Sequence, residues 1–191
     1  MENSNRPTFY TKEGLPVRAA GILCYVVHQE QQKNYWLFRL QNKLFTDTGG
    51  KTDAVDKDSL DTAIRETVEE TNGHLFSFNH DFNKCTNVLK NLINVQNPEP
   101  IYIKSCKYIV YPLRLKYKNK FLSLKRFGLK EEHDNIEHKY MWLDYIPKNI
   151  HPRLKSFKKE LSLLNDHNKG INNHKGINNH KGINNHKGIN N

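Results

Sequence analysis

The sequence predicts one domain of mixed α and β class, α+β or α/β, followed by a repetitive tail. Three observations carry that prediction. Apolar, β-branched runs of strand length stand at residues 19–27 (AAGILCYVV) and 35–40 (YWLFRL). Between the strand runs, residues 59–71 space their apolar side chains at a helical period. The chain of 191 residues has room for a single domain with a real core.

In chain order, residues 1–16 read as an irregular lead-in, and residues 19–27 as a buried strand. Residues 28–34 are a polar turn. Residues 35–40 form the second strand, with Trp36 and Phe38 as core rather than base-stacking residues, and lead through Phe45 to a turn at Gly49 and Gly50. The helix that follows starts at Asp58 or Ser59 as N-cap, carries Asp61 in its first turn, and ends at Gly73. Residues 75–78 begin a strand or loop, and residues 79–100 are polar and variable in structure. Residues 101–117 hold one or two strands, clearest at 108–111, with Pro112 marking an edge or bend. A short strand at 140–143 and a closing amphipathic helix at 152–164, with Leu154, Phe157, Leu161 and Leu164 at helical spacing, complete a domain spanning 17–165. Residues 166–191 form a tail with four KGINN units at a period of six. With one isoleucine per unit it cannot bury a core, so it is predicted to be disordered.

The helix carries the chemistry. At 100° per residue, Leu60, Ala63, Ile64, Thr67, Val68 and Thr71 cluster in one arc that faces the core. Glu66, Glu69 and Glu70 fall on a second arc at i, i+3 and i+4. Like charges at that spacing repel by roughly 0.2–0.5 kcal/mol per pair in an isolated helix. Arg65, four residues before Glu69, offsets part of this, and a hard divalent cation over the arc would offset the rest. Oxygen-only ligands suit Mg²⁺ or Mn²⁺ rather than Zn²⁺. An acidic helix face alone is ordinarily just solvated. The conjunction of Gly50, Arg65, Glu66, Glu69 and Glu70 is different, with a chance frequency on the order of one in a million start positions.

These residues resemble the Nudix box, G-x5-E-x7-R-E-U-x-E-E-x-G-U, over about residues 50–73. The core Arg65-Glu66-x-x-Glu69-Glu70 matches in full, and Gly50 matches the first glycine. Three departures stand out. Asp56 replaces the first glutamate and is followed by eight residues rather than seven before Arg65. Thr67 takes the hydrophobic position, and the last glycine is displaced to Gly73. The phrase D-x-D-x-x-x-T-A-x-R-E also occurs in the coenzyme A branch of the family. Residues 37–47 lack that branch's upstream signature, so its specificity is not carried over.

The resemblance implies a Nudix-type sandwich of mixed β-sheet between α-helices. It also implies metal-dependent hydrolysis of the pyrophosphate bond in a nucleoside diphosphate linked to another moiety. It makes Glu69 and Glu70 metal ligands, Glu66 a ligand or water-orienting base, and Arg65 the residue that orients Glu69. The resemblance also implies a backbone carbonyl near Gly49 or Gly50 in the metal shell. Lys51 and Arg39 are the candidates for binding substrate. In many members an acidic loop before a tryptophan strand supplies a further ligand or general base. Here Glu131, Glu132 and Glu137 are candidates, with Glu132 assigned to catalysis.

The formal net charge is +10, of which the four lysines of residues 169–191 supply +4. Basic charge suits phosphorylated substrates and nucleic acid as well as plain solubility. Residues 116–130 interleave Lys116, Lys118, Lys120, Lys125, Arg126 and Lys130 with Tyr117, Phe121 and Phe127, a composition suited to an RNA backbone or to a solvated loop. The substrate stays open among oxidised nucleotides, nucleotide sugars, dinucleoside polyphosphates, diphosphoinositol phosphates and capped RNA. A non-catalytic module that binds RNA or a protein partner is the alternative. No apolar run of about 18 residues is present, so no membrane span is expected. The polar residues 1–7 carry no signal-peptide core. The three cysteines have no metal-binding spacing, which predicts free thiols in a reducing, cytoplasmic compartment.

Overall fold

The computed structural model describes residues 6–31, 33–76, 81–116, 126–130, 137–155 and 157–158, with backbone alone at 126–130, 137 and 138. A mixed sheet carries two helices on one face and the C-terminal segment on the other, an α+β arrangement. Its strands β3 (Ala19–His28), β4 (Lys33–Gln41), β8 (Tyr108–Leu115), β7 (Ile101–Ile103), β9 (Arg126–Lys130) and β10 (Glu137–Leu143) run in the order β7-β8-β3-β4-β10-β9. Two short strands lie off that path: β5 (Leu44–Thr46) pairs with β4, and β6 (Thr48–Lys51) pairs with β3. β3 and β8 are parallel, in register from Ala19 opposite Tyr108 to Val26 opposite Leu115. The other pairs in this sheet are antiparallel.

The alternation of side chains along the strands builds two cores. Ala20, Ile22, Cys24 and Val26 of β3, with Leu37, Ile109, Tyr111, Tyr140 and Trp142, face helices α1 (Ser59–Glu70) and α2 (Phe82–Gln96). Leu23, Trp36, Phe38, Tyr108 and Val110 point the other way, against Leu143, Ile150, Leu154 and Phe157. Trp36 and Phe38 are fully buried, as their place in the strand anticipates.

Several expectations change. Residues 1–16 are not wholly irregular: β1 (Phe9–Tyr10) pairs with β2 (Pro16–Val17) as a short antiparallel ribbon. Of the residues expected to begin a strand or loop, 75 and 76 lie in a 3₁₀ turn over His74–Phe76, and 77–78 fall outside the described residues. Residues 79–100 contain α2, capped by Asp81, whose side chain accepts from the Lys84 amide at 2.9 Å, and closed by Asn97 in the left-handed region. Its Cys85, Leu89 and Ile93 are buried at helical spacing. Pro112 lies inside β8, just past the three residues that β7 covers. Of the expected helix at 152–164, Pro152–Lys155 and Lys158 are helical, whereas Leu161 and Leu164 fall outside the described residues. The tail and most of the basic segment fall outside the described residues. Among the described residues no helix is long and apolar enough to cross a membrane.

Candidate active site

Helix α1 is held at both ends and along its length. Asp58 is the N-cap, accepting from the Asp61 amide at 2.8 Å. Asn72 and Gly73, both at positive φ, turn the chain out of the helix, and the Gly73 amide returns to the Val68 carbonyl at 2.9 Å. The Ser59 hydroxyl meets the Tyr111 hydroxyl at 3.0 Å, and the Tyr140 hydroxyl donates to the Glu70 carbonyl at 2.7 Å. Thr67, at the position where the box has an apolar residue, shares a hydrogen bond with Thr48 at 2.9 Å, so its buried hydroxyl is satisfied against β6. The carboxylate arc is therefore set against the strand that carries Gly49 and Gly50.

Arg65 is the hub of the arc. Its Nε and Nη2 donate to the two oxygens of Asp56 at 2.8 and 3.0 Å, a fork that ties the loop before the helix to the helix itself. Its Nη1 donates to Glu66 Oε1 at 3.0 Å and Glu69 Oε2 at 2.9 Å, and its Nη2 also donates to the Lys51 carbonyl at 2.9 Å. The extra residue between Asp56 and Arg65 thus leaves their pairing intact. Thr62 Oγ1 and the Asp53 amide donate to Asp56 Oδ2, each at 2.8 Å. Burial works against the Asp56 charge, but Arg65, Asp53 and Thr62 outweigh it and hold its carboxyl below the usual carboxylate range.

The three glutamates occupy different environments. Glu69 is 43% exposed at its side chain. Glu66 is half-buried and lies on Gly50, where an added Cβ would strike its carboxylate. Burial raises the proton affinity of Glu66 against the pull of Arg65. Glu70 is 5% exposed, and both its oxygens are taken: Oε1 pairs with Arg39 Nη1, and Oε2 accepts from the Gly49 amide at 3.0 Å. Burial raises its proton affinity well above the ordinary, although Arg39 and Arg153 oppose this.

Arg39, expected at the substrate, is instead buried at 4% exposure in the pair with Glu70, because it follows Leu37 on the strand face turned toward α1. Lys51 keeps an exposed side chain, and its carbonyl belongs to the Arg65 network. Glu131 and Glu132 lie outside the described residues, and Glu137 begins β10. Among the described residues no three His, Cys, Asp or Glu side chains converge as a ready metal-ligand set. Two arginines divide the carboxylates instead.

A second buried cluster lies where β5 gives way to β6, and the sequence reading missed it. Asp47, fully buried, accepts from the Tyr108 hydroxyl at 2.7 Å and from Arg153 Nε at 3.0 Å. Arg153 also stacks over the Tyr108 ring at 4.7 Å. The segment carrying Arg153 is brought there along β5: the Phe45 amide donates to the Asn149 carbonyl at 3.0 Å, and the His151 amide donates to the Phe45 carbonyl at 2.7 Å. Gly21 and Gly49 make room for the Tyr108 hydroxyl, since a Cβ on either would strike it. Asp beside Thr-Gly-Gly reads as ordinary turn composition, so nothing local in the sequence marks Asp47 as buried.

A cleft of about 240 Å³ between α1 and α2 is lined by Asp56, Arg65 and Glu69 together with Lys90, which pairs with Asp61 at 3.1 Å. This is below the roughly 300–1,000 Å³ typical of small-molecule pockets. Larger clefts, of about 500 Å³ near Tyr102 and about 590 Å³ near Arg114, do not touch the carboxylate arc.

No model of a known protein family matches the chain, and no curated protein matches it. Among solved structures it is similar to an Ap4A hydrolase from C. elegans, determined as a binary complex, with 18% identity and a TM-score of 0.46 over 77% of this chain and 97% of that one.

Proposed function

We propose that the chain is a divalent-cation-dependent hydrolase of the Nudix type, cleaving the pyrophosphate bond in a nucleoside diphosphate linked to another moiety, with Mg²⁺ or Mn²⁺ as the cation. The observation that carries this reading is Arg65, whose guanidinium gathers Asp56, Glu66 and Glu69 beside Gly50. Three carboxylates held on one arginine leave net negative charge at a partly exposed site, and that favours recruitment of a cation.

The donor chemistry fits a hard divalent ion. Glu66, Glu69 and Glu70 would hold it through oxygen atoms, and the missing Cβ of Gly50 gives the Glu66 carboxylate its place. When bound, such a cation polarises the phosphoryl group and neutralises developing charge. The chain's own residues do the positioning. Arg65 fixes the rotamers of Glu66 and Glu69 before substrate arrives, and Asp56 fixes Arg65. Glu66 would serve either as a ligand of the cation or as the carboxylate that orients the attacking water. Lys51, next to Gly50 with its side chain exposed, is the candidate to meet the substrate phosphates. Base recognition belongs to surfaces beyond the small cleft, and the basic residues of segment 116–130 favour a polyanionic substrate such as capped RNA among the nucleotide candidates.

The test is a panel of capped RNA, dinucleoside polyphosphates, nucleotide sugars and oxidised nucleotides, with products identified by mass spectrometry. The wild-type chain should release a phosphorylated product only with Mg²⁺ or Mn²⁺. Glu66→Gln and Glu69→Gln should each lower that rate by about 10²-fold or more. Metal-independent release, unchanged turnover in both variants, or no release from any substrate overturns the proposal.

A further inference from the structure

Four basic residues come together at the end of the sheet beside the carboxylate arc, and the hydrolase reading uses only Lys51 among them. The Arg18 amide donates to the Lys107 carbonyl at 2.9 Å, and the Arg18 carbonyl accepts from the Thr52 amide at 3.1 Å. Lys51, next to Thr52, stands opposite Ala19 in register, and its own carbonyl accepts from Arg65 at 2.9 Å. Lys107 caps a 3₁₀ turn over Lys104–Cys106, and its amide donates to the Lys104 carbonyl at 3.4 Å. With about 4.8 Å between neighbouring strands, the backbone positions of Lys51, Arg18 and Lys107 cross three strands in about 10 Å. All four residues are exposed, and among the described residues none of them has a carboxylate partner. The Arg18 guanidinium donates to the Thr8 hydroxyl at 3.1 Å, a neutral partner that leaves its charge uncompensated. The carboxylates that follow Lys51 in the chain are engaged in their own loop: Asp53 accepts from the Val55 amide at 3.2 Å, and Asp56 accepts from Arg65. Lys33 and Lys90, by contrast, are paired with Asp144 and Asp61.

We propose that this surface carries the backbone of a single-stranded RNA whose 5′ pyrophosphate lies at the carboxylate arc, with Lys51, Arg18 and Lys107 each meeting a phosphate and Lys104 extending the track. The inference rests on the hydrolase reading for the direction of the track, and deepens it by naming the substrate class. A nucleotide sugar carries its charge in one pyrophosphate, which the arc and Lys51 already meet. Arg18 and Lys107 have a counterpart only in a ligand that carries further phosphates. The residues follow one another across the strands, which matches charges spaced along a chain. Contacts of this kind hold the RNA in place without reading its bases, and each releases a counterion on binding.

The test is fluorescence anisotropy of a labelled single-stranded RNA of about 12 nucleotides, titrated with the full chain over a range of salt concentrations and without divalent metal. Binding should weaken with salt on a logarithmic slope of about 0.7 per phosphate contact. Arg18→Gln/Lys107→Gln changes two exposed side chains and should reduce that slope by about 1.4, which between 1 M and 0.1 M salt amounts to about 25-fold in affinity. Lys33→Gln, at the opposite end of β3, should leave the slope unchanged. In turnover with Mn²⁺, the double variant should raise KM for capped RNA and leave hydrolysis of the cap dinucleotide unaltered. A wild-type slope in the double variant overturns the inference and leaves the hydrolase reading intact. An equal loss per charge in Lys33→Gln reduces the effect to net charge and overturns it as well. So does a wild-type chain that sediments with phosphatidylserine vesicles and does not bind RNA, since the surface then serves a membrane. RNA binding with the expected slopes, but no hydrolysis of any substrate, supports the track and overturns the hydrolase reading alone.

Discussion

Adjacent glycines of β6 give the sharpest test of the proposed site, because alanine at each meets a different obstacle. A Cβ on Gly50 strikes the Glu66 carboxylate, the far end of a side chain that can rotate. A Cβ on Gly49 strikes the Gly21 Cα and the Ala20 carbonyl of β3, backbone that cannot yield without breaking the strand pair, as well as the Tyr108 hydroxyl. Gly50→Ala loses the Arg65–Glu66 hydrogen bond, at 3.0 Å and partly exposed. Such a bond is worth about 1.5 kcal/mol at the low end of charge-assisted values, and Arg65 keeps its other partners. Reduced freedom of the unfolded chain returns about 0.4–1 kcal/mol, as Gly50 is not at positive φ. The net cost is about 1 kcal/mol. Gly49→Ala carries an overpacking cost of about 1–3 kcal/mol. It also disturbs the buried Tyr108–Asp47 bond, for a total of about 3 kcal/mol or more. Urea denaturation compares the two midpoints at equal slope. Turnover with Mn²⁺ should fall by about 10²-fold in Gly50→Ala, because a group displaced by about 1 Å no longer meets its reactant. A Gly50→Ala protein with wild-type turnover, or one less stable than Gly49→Ala, would refute the placement of Glu66.

Two further outcomes follow from the buried groups. Asp56 has a depressed carboxyl in the fold, so its charge stabilises the protein above the unfolded value of about 3.9, and that contribution is lost as pH falls through the lower folded value. Asp56→Asn should therefore be less stable than wild type at neutral pH, with the difference closing in acid; urea midpoints that stay equally far apart across that range count against the Arg65–Asp56 fork. Burial pushes the Cys85 thiol up to about 12 and the Cys24 thiol further, whereas Cys106 is exposed. A chromogenic disulfide reagent should titrate one thiol in the native protein and three in denaturant, and two or more fast native thiols would contradict the packing of α2 on β3.

How far the site could be read in advance depended on the range of the contacts. The strands at 19–27 and 35–40 and the helix at 59–71 announce themselves locally, and Arg65 meets Glu69 because i and i+4 share a helix face. Helix α2 was also legible, since Phe82, Cys85, Leu89 and Ile93 repeat at helical spacing, but its many asparagines gave the segment the look of a loop. The separation of Glu66, Glu69 and Glu70 into three environments was not local. A helical wheel says which side chains share a face and nothing about what is laid over it. Here the overlying partners are Arg39 from β4, the amide of Gly49 and, beyond them, Asp47 with Tyr108 and Arg153, which lie 61 and 106 residues from it in the chain. One part of that pattern can nevertheless be inferred from alternation. Leu37 and Arg39 share the strand face that packs on α1, and a guanidinium on a core face requires a buried carboxylate to offset its desolvation. The glutamate nearest the helix end that meets this strand is Glu70. A basic residue at a core-facing strand position thus marks which member of an acidic arc is already paired with a cation of the protein itself.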